Sequence, residues 1–197
     1  MFYKKIKNVK IISPQNTFIE KGAQIGYGSI IYPNNYIKND VKIGKNCILL
    51  PNNFITSSTI GDNCTIGPFA HLRPNTVLKN EVKIGNFCEI KNSTINSYTK
   101  VSHLTYIGDA TIGEHCNIGC GVIFANYNGK IKQNTTIGND CFIGSNSTLI
   151  APLNIQDNCF IGANTTLTQS LNKNTFALSQ RSDLKLKPNK FASSYKK

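Results

Sequence analysis

The chain has 197 residues, enough for one or two ordinary domains, and its 40% apolar and 16% charged residues exclude an intrinsically disordered protein. No apolar stretch approaches the ~18–20 residues of a spanning helix, and the lysines of MFYKKIKNVK lead into no apolar h-region, so the sequence predicts a soluble cytoplasmic protein without membrane segment or secretory signal. The formal charge of +12 predicts anionic partners, phosphorylated small molecules among them; nucleic acid is not expected, because no aromatic-basic interleaving accompanies the charge.

Twenty-six Asn, 15 Gly and 7 Pro against 8 Ala and one Met, with many Ile, Val and Thr, predict an all-β chain rich in corners. Residues 1–18 read as a short lead. From Ile19 an aliphatic residue recurs every six positions, through Ile25, Ile31, Ile37, Ile43, Leu49 and Ile55; the run resumes at Ile60, Ile95, Ile112 and Ile137 and reaches Leu167. A fixed short period of this kind indicates a solenoid. The fourth place after the aliphatic is small, as at Ser29, Cys47, Thr59, Cys64, Ala70, Thr94, Thr111 and Cys116. Asn prevails two or three places after it (Asn34, Asn46, Asn52, Asn63, Asn75, Asn146, Asn158, Asn164), where a corner needs left-handed backbone. Three such rungs per coil make a prism of short parallel strands over residues 19–172. Six of the seven cysteines (Cys47, Cys64, Cys88, Cys116, Cys141, Cys159) fill the small inward place and read as buried hydrophobes in a reducing compartment, without metal-ligand spacing. Cys120 alone falls on an outward corner. Thirteen residues instead of six separate Phe124 from Ile137, so part of ANYNGKIKQNTT leaves the prism as an excursion loop. Residues 173–197 form a basic tail with six Lys and Arg181.

Assigning rungs to three faces in rotation gives each residue an address. His103, Cys120, Ser145 and Ala163 share one, on the second face two after the aliphatic, so one imidazole heads a column of small residues running roughly 14 Å along the axis. Arg73 and Lys91 share another, on the third face one after the aliphatic, on consecutive coils. Two cations roughly 5 Å apart repel unless an anion sits between them, which predicts a phosphate site; a plain pair of surface cations is the other reading. His71, His103 and His115 lie in three different columns, so a three-histidine zinc site is not expected.

The segments IISPQNTFIE, IGPFAHLRP, IGNFCEIKNS, SHLTYIGDATIGEHCNIGCG, FANYNGKIK and IGSNSTLIAP resemble the acetyltransferase domain of the bifunctional bacterial N-acetylglucosamine-1-phosphate uridyltransferase/glucosamine-1-phosphate acetyltransferase family. The likeness runs from Val9 to Arg181. It implies a left-handed parallel β-helix, against the usual right-handed crossover. It implies that His103 is the general base, taking a proton from the sugar amine that attacks the thioester of acetyl-CoA, a task that suits imidazole near neutral pH. Arg73 and Lys91 match sugar-phosphate binders, and Tyr106, Asn117 and Lys132 match residues contacting the sugar and its phosphate. Asn126 and Tyr127 on the loop, with Ser145, Ala163 and Arg181, match the acetyl-CoA side, and the N–H of Cys120 would stabilise the oxyanion. Two residues depart from the family: Cys120 replaces Ala, and Gln180 is inserted before Arg181. The Gly-rich nucleotide loop of the uridyltransferase domain has no counterpart in the sequence, so synthesis of UDP-sugars is not expected.

These observations predict a glucosamine-1-phosphate N-acetyltransferase that uses acetyl-CoA and no metal. A related acyltransferase on another amino-sugar phosphate or nucleotide-sugar amine, or an inactive structural β-helix, are the alternatives. A closed rod has no deep pocket of its own, so a homotrimer with the site between subunits is expected, as the resemblance also implies.

Overall fold

A rung that carries one large aliphatic, a small residue two places before it and a left-handed residue at its end closes most simply as one side of a triangle. The computed structural model describes residues 6–179 and is a parallel β-helix of three faces, with strands mostly two or three residues long and a single 3-10 turn, Pro14–Asn16. On the second face ten strands stack from Lys10–Ile11 to Phe176–Ala177. The first and third faces form one sheet because two seven-residue strands, Glu89–Ile95 and Tyr106–Ile112, run through the corner between them.

Register follows the aliphatics. Leu72 pairs with Ile90 and Ile90 with Ile107 on the third face, and Ile84, Val101 and Ile118 pair in turn on the second. Ile31, Leu49, Ile66, Ile84, Ile90 and Ile107 are all completely buried. Each such side chain contributes about 1.5–3 kcal/mol by leaving water. The six inward cysteines are buried beside them, and their thiols donate to carbonyls of the next coil, Cys47 to Gly61 at 3.0 Å and Cys116 to Gly138 at 3.1 Å. Burial pushes the Cys88 thiol up to about 11, so it stays neutral and behaves as a hydrophobe.

All eight of the corner asparagines have positive φ, between 54° and 66°. Phe69, Phe87, Tyr98 and Leu104 adopt the same conformation without an amide side chain to favour it. Stacking compensates at three of them: Phe69 lies on Phe87 at 5.2 Å, and Tyr98 on His115 at 4.7 Å.

The structure corrects two expectations. Thr59, Thr94 and Thr111 do not face the core; Ser58, Ser93 and Ala110 do. At Ile55–Ile60, Ile90–Ile95 and Ile107–Ile112 the step is five, so the inward residue, always two before the aliphatic, is only three after the previous one. The ladder also extends past 19–172 at both ends. Lys10–Ile11 pairs with Ile30–Ile31, hidden from a six-residue count by the 3-10 turn before Ile19, and Phe176–Ala177 pairs with Phe160–Ile161 with a small Ala in the aliphatic place.

Buried polar groups also fix the register. The Asn53 amide is completely enclosed, donating to Asn35 Oδ1 at 2.8 Å and to the Leu50 carbonyl at 2.6 Å while accepting from the Ala70 N–H at 2.8 Å. Asn53→Leu keeps the volume but orphans Asn35 and Ala70, and should lower unfolding stability by about 2–4 kcal/mol in a urea titration. Asn52→Gly, at a corner with φ 66°, should change it by less than about 0.5 kcal/mol.

Candidate active site

The expected site residues fall on the two edges of the third face. On the edge toward the first face, the place one after the aliphatic is Arg73, Lys91, Gly108 and Ala125 on successive coils: two cations, then two residues with almost no side chain. Neither cation stands alone. Arg73 Nη1 donates to Glu89 Oε1 at 2.6 Å, in a pair whose side chains are more than a third exposed. Such a pair contributes only about 0–1 kcal/mol, so a dianionic ligand can displace it. Lys132, on the excursion loop, reaches back to Lys91. The Lys132 ammonium beside it, and more weakly Arg73, hold Lys91 below the ordinary lysine range. Three cations drawn together in this way leave a place for an anion.

The bare stretch at Gly108 is required by its neighbours. A Cβ there would lie 2.4 Å from Tyr106 Oη and 2.7 Å from Asn126 Nδ2. Tyr106 points outward from the middle of the third face, one coil beyond Glu89. The loop residues 126–133 form a small hairpin, with Tyr127 bridged to Lys132 and the Gln133 N–H bonded to the Asn126 carbonyl at 2.8 Å.

On the opposite edge, toward the second face, stands the His103 column. The corner N–H of Gly121 donates to the His103 carbonyl, that of Asn146 to Cys120 and that of Asn164 to Ser145, so the four residues stack as their addresses required. Cys120 is partly exposed, unlike the six core thiols. Below the column lies Asn86, paired with His103 in the ladder, and its Oδ1 is 2.5 Å from His103 Nδ1. An amide oxygen there accepts from Nδ1–H, so in the neutral imidazole this contact selects the tautomer whose Nε2 can accept a proton.

Asn117 does not join the cationic group within one chain. It projects from the second face, between Lys100 and Phe142. Arg181 lies outside the described residues. His71 packs edge-on against Phe54 at 5.4 Å, and burial, more than the nearby Arg73, holds its imidazole below the ordinary histidine range. Three residues of the site were not singled out from sequence: Asn86, Glu89 and Asp109. Asn86 has the His103 address one coil earlier, and Asp109 takes the left-handed corner place held by Asn75 and Asn92 on the coils before. Carrying the His103 address one coil back finds Asn86; Asp109 escapes the count because the rungs from Ile90 and Ile107 are one residue short.

Comparisons with known proteins agree with this architecture. Residues 54–128 match the family model of the GMPPB C-terminal domain, and residues 134–169 match the hexapeptide repeat of succinyl-transferase. The chain is 50% identical to the bifunctional protein GlmU of Clostridium perfringens and 43% identical to that of Clostridium kluyveri, each over 75% of this chain and 36% of the relative. It therefore spans about a third of the length of the curated relatives it matches. A crystal structure of a UDP-N-acetylglucosamine acyltransferase superposes with a TM-score of 0.61 at 18% identity, over 87% of this chain and 71% of that one. The fold is thus a left-handed parallel β-helix of hexapeptide repeats, and the chain is a homologue of the GlmU proteins over that helix.

The crowded lysines have a measurable consequence. Lys91 gives up its proton below the usual lysine range, so inorganic phosphate should bind progressively less well as the pH rises through that lowered value. Lys132→Met removes the neighbouring charge; calorimetric titration should find weaker binding at neutral pH and a decline moved to higher pH.

Proposed function

We propose that this homologue of the GlmU proteins is an acetyl-CoA-dependent N-acetyltransferase acting on glucosamine 1-phosphate in the cytoplasm. The observation that carries the reading is the meeting of Lys132 with Lys91, one coil from Arg73, at one edge of a face whose other edge carries His103 with its Nδ1 held by Asn86. A sugar phosphate held at one edge would present its amine across the face, past Tyr106, toward the imidazole. A neutral amine attacks the thioester carbonyl, His103 Nε2 takes the proton lost by the nitrogen, and the departing CoA thiolate takes a proton from the imidazolium. Atoms and charge balance without a metal.

The Cys120, Ser145 and Ala163 column suits the pantetheine arm: it runs along the axis, and Gly119, Gly144 and Gly162 immediately before it add no side chains. The backbone N–H of Cys120 would meet the developing oxyanion, a role any side chain at that position permits. Asn126 and Tyr127 would close over the thioester end. Asn117 faces away from the cations of its own chain. A homotrimer, in which the second face of one subunit meets the third face of another, supplies the geometry that would bring it to the sugar.

His103→Ala should lower kcat for acetyl transfer to glucosamine 1-phosphate by at least ~10²-fold while acetyl-CoA still binds, as loss of a general base requires. Cys120→Ala should keep near-normal activity; an acetyl-enzyme trapped on that thiol would replace direct transfer with a covalent route. Thiol release measured with a series of amino-sugar acceptors tests the substrate.

The trimer has its own test. Sedimentation should give three times the 21.7 kDa chain mass. Mixing His103→Ala with Asn117→Ala subunits should restore part of the activity, because a cleft between the two variants then holds an intact residue of each kind, and a fully active monomer would refute the arrangement.

A further inference from the structure

The 126–133 hairpin has one side-chain hydrogen bond to the body of the prism among the described residues, and that bond ends on a carboxylate with no role so far. Asp109 is 6% exposed and sits at the left-handed corner after Gly108, with φ 52°. Asn92 Nδ2 donates to its Oδ1 at 2.5 Å, and Asn126 Nδ2 makes a short hydrogen bond to its Oδ2. Among the described residues no cationic side chain forms an ion pair with it. Asn126, 7% exposed, is the foot of the hairpin. Among the described residues every other hydrogen bond from 127–133 stays within the hairpin: Gln133 N–H to Asn126, Asn128 N–H to the Ile131 carbonyl, Tyr127 Oη to the Gly129 carbonyl, and the N–H groups of Lys130 and Ile131 to Asn128 Oδ1. Nothing else among the described hydrogen bonds opposes the repulsion that would drive Lys132 away from Lys91.

We propose that Asp109 is a positioning residue for anion recognition: its carboxylate clamps Asn126, and through it the 126–133 hairpin, so that Lys132 is held beside Lys91 and Arg73 to receive a phosphate. The inference rests on the reading of those cations as the phosphate site. It makes the buried charge useful in a way that packing alone does not. An apolar residue here would satisfy the left-handed corner poorly and leave the Asn126 amide without an acceptor, whereas Asn would offer only one acceptor oxygen to two donating amides.

A clamp and a mere nearby charge predict opposite results. If Asp109 acted only through its field, Asp109→Asn would remove a negative charge near Lys91 and tighten phosphate binding. As a clamp, Asp109→Asn should weaken inorganic phosphate binding about tenfold, the scale of one lost charge-assisted hydrogen bond. It should raise KM for glucosamine 1-phosphate by a similar factor. Tryptic cleavage after Lys130 and Lys132 should speed up by a comparable factor. Asn at φ near 50° is already tolerated at Asn92, so the variant is expected to fold. If it does not, Asn126→Ala cuts the clamp from its other end and should show the same phosphate and proteolysis changes. In the double variant the phosphate effect should be no larger than in either single one. Unchanged or tighter phosphate binding in both single variants, or a hairpin no more sensitive to trypsin, overturns the proposal. A wild-type chain that binds phosphate and protects its hairpin but does not acetylate glucosamine 1-phosphate would overturn the substrate reading and leave the clamp standing.

Discussion

The molecule depends on one backbone constraint: at almost every corner a residue must take the left-handed conformation, which L-amino acids other than Gly adopt at a cost of about 1–2 kcal/mol. Among the described residues 21 non-glycine positions do so, and 11 of them are Asn, whose short amide tolerates the conformation best. Closing a coil by such corners fixes strand length at two or three residues and brings each aliphatic directly over its counterpart one coil away. The core is then a continuous column of Ile, Leu and Val with small residues and thiols opposite, and the parallel ladders follow from it. Stacked aromatics on the outside offset the cost at Phe69, Phe87, Tyr98 and His115.

The cationic edge of the candidate site arises where this regularity is broken on two coils in succession. The rungs from Ile90 and Ile107 are one residue short, so their strands continue through the corner as Glu89–Ile95 and Tyr106–Ile112. Lys91, Asn92, Gly108 and Asp109 lie on those two continuous strands. On the next coil the same corner is not shortened but extended, and the hairpin with Lys132 emerges there. The cationic site is therefore assembled at a single edge from a deficit of one residue on two coils and a surplus of seven on the third. The opposite edge keeps the ordinary six-residue step, and the His103 column stacks on it without distortion.

This division explains what the sequence disclosed. Period, facing and corner chemistry are local, so the three-sided helix, the buried cysteines, the His103 column and the Arg73–Lys91 pair were legible by counting. The shortened rungs shifted the count, and Thr59, Thr94 and Thr111 were assigned inward for that reason. The Pro14–Asn16 turn concealed the first strand in the same way. What counting could not supply was side-chain reach. Glu89 across to Arg73, Asn86 up to His103 and Asn126 down to Asp109 each join residues 16 or 17 positions apart in sequence, one coil apart in space. The placement of Lys132 depends on how a hairpin folds back, which no period encodes.

Coils of this kind touch only the coil before and the coil after. Stability in such an array is nearly one-dimensional, a sum of rung terms and nearest-neighbour contacts, and opening proceeds from the ends inward. The residues from Arg73 to Lys132 occupy the middle of the stack, with whole coils on both sides. The terminal coils can therefore open and close repeatedly while the coils between them hold their geometry, acting as sacrificial buffers for the region where the charged and titratable side chains must keep their spacing.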